Sequence, residues 1–364
     1  MKNSLDFNIQ FSNLWCHSFP NCFAGVYVYL EKIFGDMPKK CGGGETMCFG
    51  CACPSNPDPQ SAYFVIFDTM CGRSALHLRF DEKPTEMMAL IGDGDGTGGW
   101  SGKCGTDYTV DFLFGFAGYE YRKITDAAMF KDEVAASIAS DKPVIAELAG
   151  DGSFCVITGY DGDTPISSYY STDQGNNTQE KRTVTLSYEA IKTIYIIGDK
   201  ITPRYTLKDG LERIKRVFEN NIGDKIWDDG IDEINNMIVN PTDDEFGKTN
   251  PDELNALRNR ITKTITNQFN SHTFDVAFCH LPKIYDKERY PALLDLWGKL
   301  DGCQMRLGNY AHSAGHFNVI DITRIGLFRI GMGKMFVSAI EDIRNIHLEM
   351  LEIINQAIEI LGNK

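Results

Sequence analysis

Cys22 has the clearest potential for chemistry, because it lies where a helix is predicted to begin. Apolar side chains follow the helical period through residues 20–35, and Pro20 and Asn21 are residue types that favour a helix start. The unpaired amides and the dipole at a helix start stabilise a thiolate and lower the pKa of a cysteine. The position therefore predicts a reactive thiol, and the alternative interpretation is a small buried core residue.

Four cysteines within thirteen residues form a second candidate site, with the spacing C-x6-C-x2-C-x-C. They are Cys41, Cys48, Cys51 and Cys53. Four thiolates at this density could hold zinc or an iron–sulfur cluster, although a zinc ribbon uses two separate CxxC knuckles. Two interpretations stay open, a metal site and a cysteine-rich surface loop. We expect no other cofactor.

A glycine-rich segment over residues 92–105 is the third feature that the spacing singles out. It lacks the closing glutamate of an EF-hand and the Lys-Ser/Thr ending of a P-loop. We interpret it as a loop beside the thiol, in which Trp100 would contact a substrate. An ordinary solvent-exposed loop is the alternative.

The elements that would position these residues divide the chain into two parts. The first part alternates predicted helices, at 20–35, 108–117 and 129–139, with strand-like runs at 62–68, 120–124, 143–148, 154–160, 166–172, 183–186 and 193–197. Amphipathic helical segments then follow at 207–219, 226–238, 253–270, 291–305 and 335–361. We therefore predict an α+β domain over residues 1–203 and an all-α domain over 204–364.

The overall composition restricts the partners of the chain. A formal net charge of -14 disfavours nucleic acid and anionic membranes, which bind clustered Lys and Arg. No apolar run approaches the length of about 18 residues that a transmembrane helix needs. The first residues lack the apolar region of a secretory signal, and the eleven cysteines favour reduced thiols in the cytoplasm. A homo-oligomer stays open.

The order of these elements resembles the papain-like superfamily in its bacterial, peptidase-C39-like form. Residues 142–145 (KPVI) and 154–161 (FCVITGYD) carry the resemblance together with the cysteine helix. The resemblance covers about residues 14–200 and is closest to the butirosin biosynthesis protein H type of family, in which a helical domain follows. It implies a papain-like α+β fold with an antiparallel sheet. It also implies transfer of an acyl group from a carrier protein to an amine through a cysteine.

The same resemblance implies a role for each site residue. Cys22 would be the nucleophile, backbone amides near it the oxyanion hole, and Asp173 the acid that orients the base. The base of the family is a histidine six residues before the hairpin glycine, here Gly159, and that position holds Ser153. Serine cannot hold a proton for the thiol near neutral pH. Cys155 would share a strand face with Ser153 and line the substrate site.

Three interpretations follow from the missing histidine: a silent site, a substitute histidine, or a shifted alignment. His17 lies five residues before Cys22, whereas His312 and His316 lie four residues apart and would share a helix face. We expect a thiol-dependent acyl transferase or amide hydrolase that acts on a small-molecule or carrier-bound acyl group. The alternative is a catalytically silent binding or assembly protein on the same fold.

Overall fold

The computed structural model describes residues 2–7, 19–33, 59–72, 107–149, 154–172, 179–223, 225–239, 251–270, 281, 291–317 and 326–362. The chain divides into two compact units, and the boundary between them falls at Gly210 and Leu211. Helices and an antiparallel sheet make up the first unit, and the second is helical. A mixed α and β fold with a C-terminal helical region is therefore confirmed.

The elements before the boundary are, in chain order, β1 Lys2–Ser4, α1 Phe19–Leu30, α2 Pro59–Met70, α3 Asp107–Ala117, β2 Tyr119–Ile124, α4 Ala127–Ala139, β3 Val144–Leu148, β4 Phe154–Asp161, β5 Thr164–Thr172, β6 Gln179–Thr185 and β7 Ile191–Lys200. A 3₁₀ turn, Tyr188–Ala190, precedes β7. The later elements are α5 Leu207–Gly223, α6 Ile226–Ile234, the π-helical Asn235–Val239, α7 Pro251–Asn270, α8 Pro291–Phe317 and α9 Gly326–Gly362. The helices predicted at 108–117 and 129–139, the strands predicted between residues 120 and 197 and the later helical segments are confirmed. The helix predicted at 20–35 is confirmed as far as Leu30, where α1 ends.

The strand predicted at residues 62–68 is wrong, because this run lies within helix α2. Its β-branched and aromatic content is typical of a strand, but tertiary packing decides otherwise. Tyr63 and Phe67, four residues apart, both face α1, where their rings lie 4.9 Å from Tyr27 and 5.1 Å from Phe23. Pro59 at the first helical position was the available signal for a helix start.

The boundary between the units lies a few residues after the predicted position 203, because the intervening residues pack on the first unit. Arg204 Nη2 and Tyr205 OH donate hydrogen bonds to the carboxylate of Asp111 at 2.8 and 3.0 Å. Gly210 lies against α2, and a Cβ at this position would approach Met70 Sδ to 2.7 Å. The first turn of α5 therefore belongs with the α+β unit.

The sheet has the order β2-β7-β3-β4-β5-β6, and every pairing is antiparallel. Strand β1 pairs with the second half of β4, with Ser4 opposite Gly159. A Cβ at position 159 would lie 2.5 Å from the backbone oxygen of Asn3, so this close approach requires glycine. The hairpin glycine therefore provides the space for the N-terminal strand.

Helices cover both faces of the sheet. Helix α4 packs on one face in a cluster of buried residues that includes Phe130, Val134, Ala146 and Cys155. On the other face, the rings of Phe154 and Tyr195 contact Phe19 of α1 at 5.4 and 5.5 Å, and α3 joins the same aromatic core through Phe114. Consecutive strand residues alternate between the two faces, which separates Phe154 from Cys155.

In the second unit, α9 packs against α8, α6 and the π-helical segment, and α8 also packs against α7. His347 of α9 is fully buried, with edge-to-face contacts to Phe218 of α5 and Trp227 of α6 at 5.8 and 5.7 Å. Arg344 joins the same helices through Asp228 at 2.7 Å. No helix in the described ranges has the length and apolar character needed to cross a membrane.

Candidate functional site

Cys22 lies in the first turn of α1, as its fourth residue, so the predicted helix-start position is confirmed. The thiol is buried, with 2% of the residue exposed. The neighbouring turns of α1 carry Phe19 and Phe23, whose rings pack on Phe114 of α3. The start of the helix is therefore buried in an aromatic core.

Burial raises the pKa of the Cys22 thiol well above its ordinary value. Negative charge on Cys155 raises the pKa further, and a hydrogen bond from the backbone amide of Cys22 lowers it by a smaller amount. The helix-start position predicts the opposite direction. Desolvation outweighs the helix start here, because the aromatic surroundings replace the water that would stabilise a thiolate. The thiol is neutral at pH 7.

Cys155 lies in β4 opposite Ala146 of β3, on the sheet face that α4 covers. It is 2% exposed, and burial raises the pKa of its thiol to about 12. Its chain neighbour Phe154 faces α1 instead. Cys155 is thus a core residue in this arrangement, and its predicted contact with a substrate stays a prediction.

The start of α1 and the start of β4 lie together, because the Phe19 and Phe154 rings are 5.4 Å apart at an interplanar angle of 80°. Strand β5 runs antiparallel to β4 and ends at Thr172, so its end lies at the same edge of the hairpin as Phe154. The positions predicted for the base and the orienting acid flank these two strand ends in the sequence.

Most of the remaining predicted site residues lie outside the described residues. They are Ser153, Asp173, His17, Trp100, Cys41, Cys48, Cys51 and Cys53. His312 and His316 lie four residues apart in α8, which belongs to the second unit. In the described part of the chain, no group of three or more His, Cys, Asp or Glu is placed to hold a metal ion.

Sequence reasoning missed a buried amide pair beside the cysteine. Gln60 of α2 donates from Nε2 to Asn21 Oδ1 at 3.3 Å, and both residues are at most 1% exposed. A Cβ on Gly25 would lie 3.1 Å from the same Nε2, so the amide of Gln60 rests on the surface of α1. Asn21 directly precedes Cys22, and a polar residue before a candidate nucleophile was the available signal.

A second buried polar pair lies on the sheet. Thr158 Oγ1 and Ser168 Oγ are 3.1 Å apart, in neighbouring strands β4 and β5. Ser168 is opposite Val156, which shares a strand face with Phe154, so this pair lies on the side of the sheet that α1 covers. The hydroxyl groups satisfy each other, which lowers the cost of burying them.

No protein-family model matches this chain, and no curated protein matches its sequence significantly. The resemblance to the papain-like family therefore rests on the residues of this chain alone.

Proposed function

We propose that this chain is a catalytically silent binding or assembly protein on a papain-like scaffold. Its ligand would be a small-molecule or carrier-bound acyl group, and it would act in the cytoplasm. The net charge of -14 argues against nucleic acid and anionic membranes as partners.

The observation that carries the proposal is the neutral, buried thiol of Cys22. A thiolate is the nucleophile in cysteine catalysis, and burial holds the pKa of this thiol well above the physiological range. Ser153, at the position where the related family uses histidine, supplies no group that could remove the proton. With a raised pKa and with serine at the position of the family's base, the thiol would lack the activation that nucleophilic attack needs.

Alkylation rates of individual cysteines test the proposal. We expect Cys22 to react with iodoacetamide at pH 7 no faster than the buried thiols of Cys155 and Cys303, because all three have raised pKa values. Mass spectrometry of quenched time points gives the rate for each residue. Protein unfolded in urea is the control, in which all three thiols should react at similar rates.

A Cys22 rate more than about tenfold above the other two would contradict the proposal, since that ratio corresponds to about one pKa unit of thiolate formation. The Cys22→Ala variant separates binding from chemistry. Under the proposal it keeps any affinity that the wild type has for an acyl-N-acetylcysteamine thioester, the probe used in place of a carrier-bound acyl group.

A second candidate function is a thiol-dependent acyl transferase or amide hydrolase with Cys22 as nucleophile. The contact between the start of α1 and the start of β4 favours it, because a nucleophile and its base must lie at one such junction. The hydrogen bond from the Cys22 amide, which lowers the pKa of the thiol, also favours it.

Incubation with the same thioester tests the second candidate. A transferase or hydrolase would acquire one acyl group on Cys22, visible as an intact-mass increase that Cys22→Ala abolishes. Replacement of His17, His312 or His316 by alanine would identify a substitute base. If the thiol lacks only a base, Ser153→His should raise acylation at pH 7, since imidazole can accept the proton.

A further inference from the structure

Residues 2–7 cross from the sheet to helix α1, and we call this segment the strap. It begins with strand β1, which pairs with the end of β4. The Leu5 amide then donates to the carbonyl oxygen of Thr158 at 2.8 Å. Two residues later, the buried ring of Phe7 contacts the ring of Tyr29, in the last turn of α1, at 5.3 Å. The strap therefore bridges the end of β4 and the end of α1.

The same two elements also meet at their starts, near the candidate thiol. The rings of Phe19 and Phe154 lie 5.4 Å apart there, and the buried Cys22 follows Phe19 by one helical turn. The ten residues of α1 from Phe19 to Tyr29 rise about 15 Å, which is close to the span of about 13 Å from Phe154 to Thr158 in β4. Aromatic rings therefore hold one end of the α1–β4 interface, and the strap holds the other.

The end of α1 is also held by contacts that do not involve the strap. Tyr29 OH donates to Asp141 Oδ1 at 2.5 Å, and Lys200 Nζ donates to Glu31 at 2.6 Å. Release of the strap would therefore leave α1 in place and would open the end of the interface between α1 and β4. The buried hydroxyl pair of β4 and β5 lies on this side of the sheet and offers polar atoms beside that end.

Gly159 of β4 provides a way to displace the strap alone. A Cβ at this position would lie 2.5 Å from the backbone oxygen of Asn3 and 2.8 Å from Cα of Ser4, and its three nearest atoms all belong to the strap. The φ of Gly159 is not positive, so the backbone of β4 itself can accept alanine there. Gly159→Ala therefore crowds the strap without changing α1.

We propose that the strap closes the end of the α1–β4 interface, and that its release admits small polar molecules to Cys22. This inference concerns regulation of the Cys22 site and rests on the function proposed above, in which that site binds a ligand. Strand β1 has three residues, and a short segment with few hydrogen bonds can detach while the rest of the sheet stays folded. The strap thus sets access to the site.

Iodoacetamide alkylation of the full chain at pH 7 tests the proposal, with mass spectrometry to give the rate at each cysteine. We expect Gly159→Ala to alkylate Cys22 about tenfold faster than the wild type or more, which corresponds to about 1.4 kcal/mol in favour of the open strap. The rate at Cys155 should not change, because Cys155 lies on the opposite face of the sheet, under α4.

Gly198→Ala is the matched control. Gly198 lies in β7 of the same sheet, where a Cβ would approach Glu120 of β2 to 2.7 Å, so this variant crowds a neighbouring strand without touching the strap. It should leave the Cys22 rate near that of the wild type. Phe7→Ala provides a second release, because it removes the contact with α1, and Phe7→Leu should restore most of the protection. Circular dichroism verifies that each variant is folded.

A Cys22 rate that stays at the wild-type value in folded Gly159→Ala and Phe7→Ala would overturn the proposal. An equal rise at Cys155, or an equal rise of the Cys22 rate in Gly198→Ala, would overturn it too, since either result indicates general loosening of the unit. The function proposed above is judged separately, by the ratio of Cys22 to Cys155 and Cys303 rates in the wild type.

Discussion

Cys22 in the first unit and Cys303 in the second are both buried thiols, but they differ in their charged neighbours. Burial raises the pKa of both. At Cys303, the guanidinium of Arg306 donates a hydrogen bond to Sγ at 3.2 Å and lowers the pKa, although Glu349 opposes it, and the result is about 11. At Cys22, the thiol of Cys155 raises the pKa further, and the backbone amide of Cys22 lowers it by a smaller amount.

The difference shows that the position of a buried thiol on a helix does not decide its protonation state. A helix start contributes on the order of 1 kcal/mol, whereas full burial shifts a pKa by up to several units of about 1.4 kcal/mol each. A cationic hydrogen-bond donor offsets part of this cost at Cys303. A catalytic role for Cys22 would need an equivalent partner.

Removal of an aromatic ring that packs around the start of α1 should give the largest loss of stability. Phe19→Ala deletes a fully buried ring that contacts Phe23, Phe114, Phe154 and Tyr195, and we expect a loss of about 3 to 5 kcal/mol in the free energy of unfolding. Urea unfolding measures this loss. Because water would then approach Cys22, its alkylation should also become faster.

Phe19→Leu is the control for this prediction, because it keeps most of the apolar volume and should cost about 1 to 2 kcal/mol. An alkylation rate of Cys22 that is the same in both folded variants would show that aromatic burial does not control the thiol. The alkylation rate of Cys303, in the second unit, should not change.

His347 extends the comparison to a buried base in the second unit. Burial lowers the pKa of its imidazole to about 3, whereas the unfolded chain titrates near 6.5. Below pH 6.5 the unfolded state therefore binds a proton that the folded state does not bind, and stability falls as pH falls. The loss is about 1.4 kcal/mol per pH unit, or about 2 kcal/mol at pH 5.

Chemical denaturation between pH 7 and pH 4.5 measures how the free energy of unfolding changes with pH. His347→Leu removes the titrating group. It should therefore reduce the pH dependence of the free energy of unfolding by about 1.4 kcal/mol per pH unit, which corresponds to one proton. An unchanged slope in the variant would show that another group is responsible. His312→Leu in α8 is the matched control. It removes a histidine but leaves the His347 imidazole packed between Phe218 and Trp227.

The smallest expected effect is a change in the alkylation rate of Cys303 when its cationic partner, Arg306, is replaced. Arg306→Gln removes the guanidinium that lowers the pKa of this thiol, so the pKa should rise from about 11. Alkylation of Cys303 at pH 9 should become about three- to tenfold slower, whereas that of Cys22 should not change. Lys299→Gln is the control on the same helix. A faster reaction of Cys303 would indicate that exposure, and not charge, limits its rate.

The predictions from the sequence succeeded where a local pattern decides the structure. The helical period and Pro20 located α1, and the alternating runs between residues 120 and 197 located the strands that form one antiparallel sheet. The same approach failed at residues 62–68, because β-branched and aromatic residues also suit a helix that is buried on several sides. The packing of Tyr63 and Phe67 on α1 decides for the helix, and Pro59 was the one local signal that pointed to it.

The sequence by itself determined the position of Cys22 in the first turn of a helix, the change to helical structure after the sheet, and the serine in place of a histidine. These features depend on residue types and spacing along the chain. Tertiary structure alone decided that Cys22 is buried among aromatic rings, and that Arg306 of α8 pairs with Glu349 of α9. The reason is that desolvation and cross-helix contacts depend on residues far apart in the chain, whose approach no local period encodes.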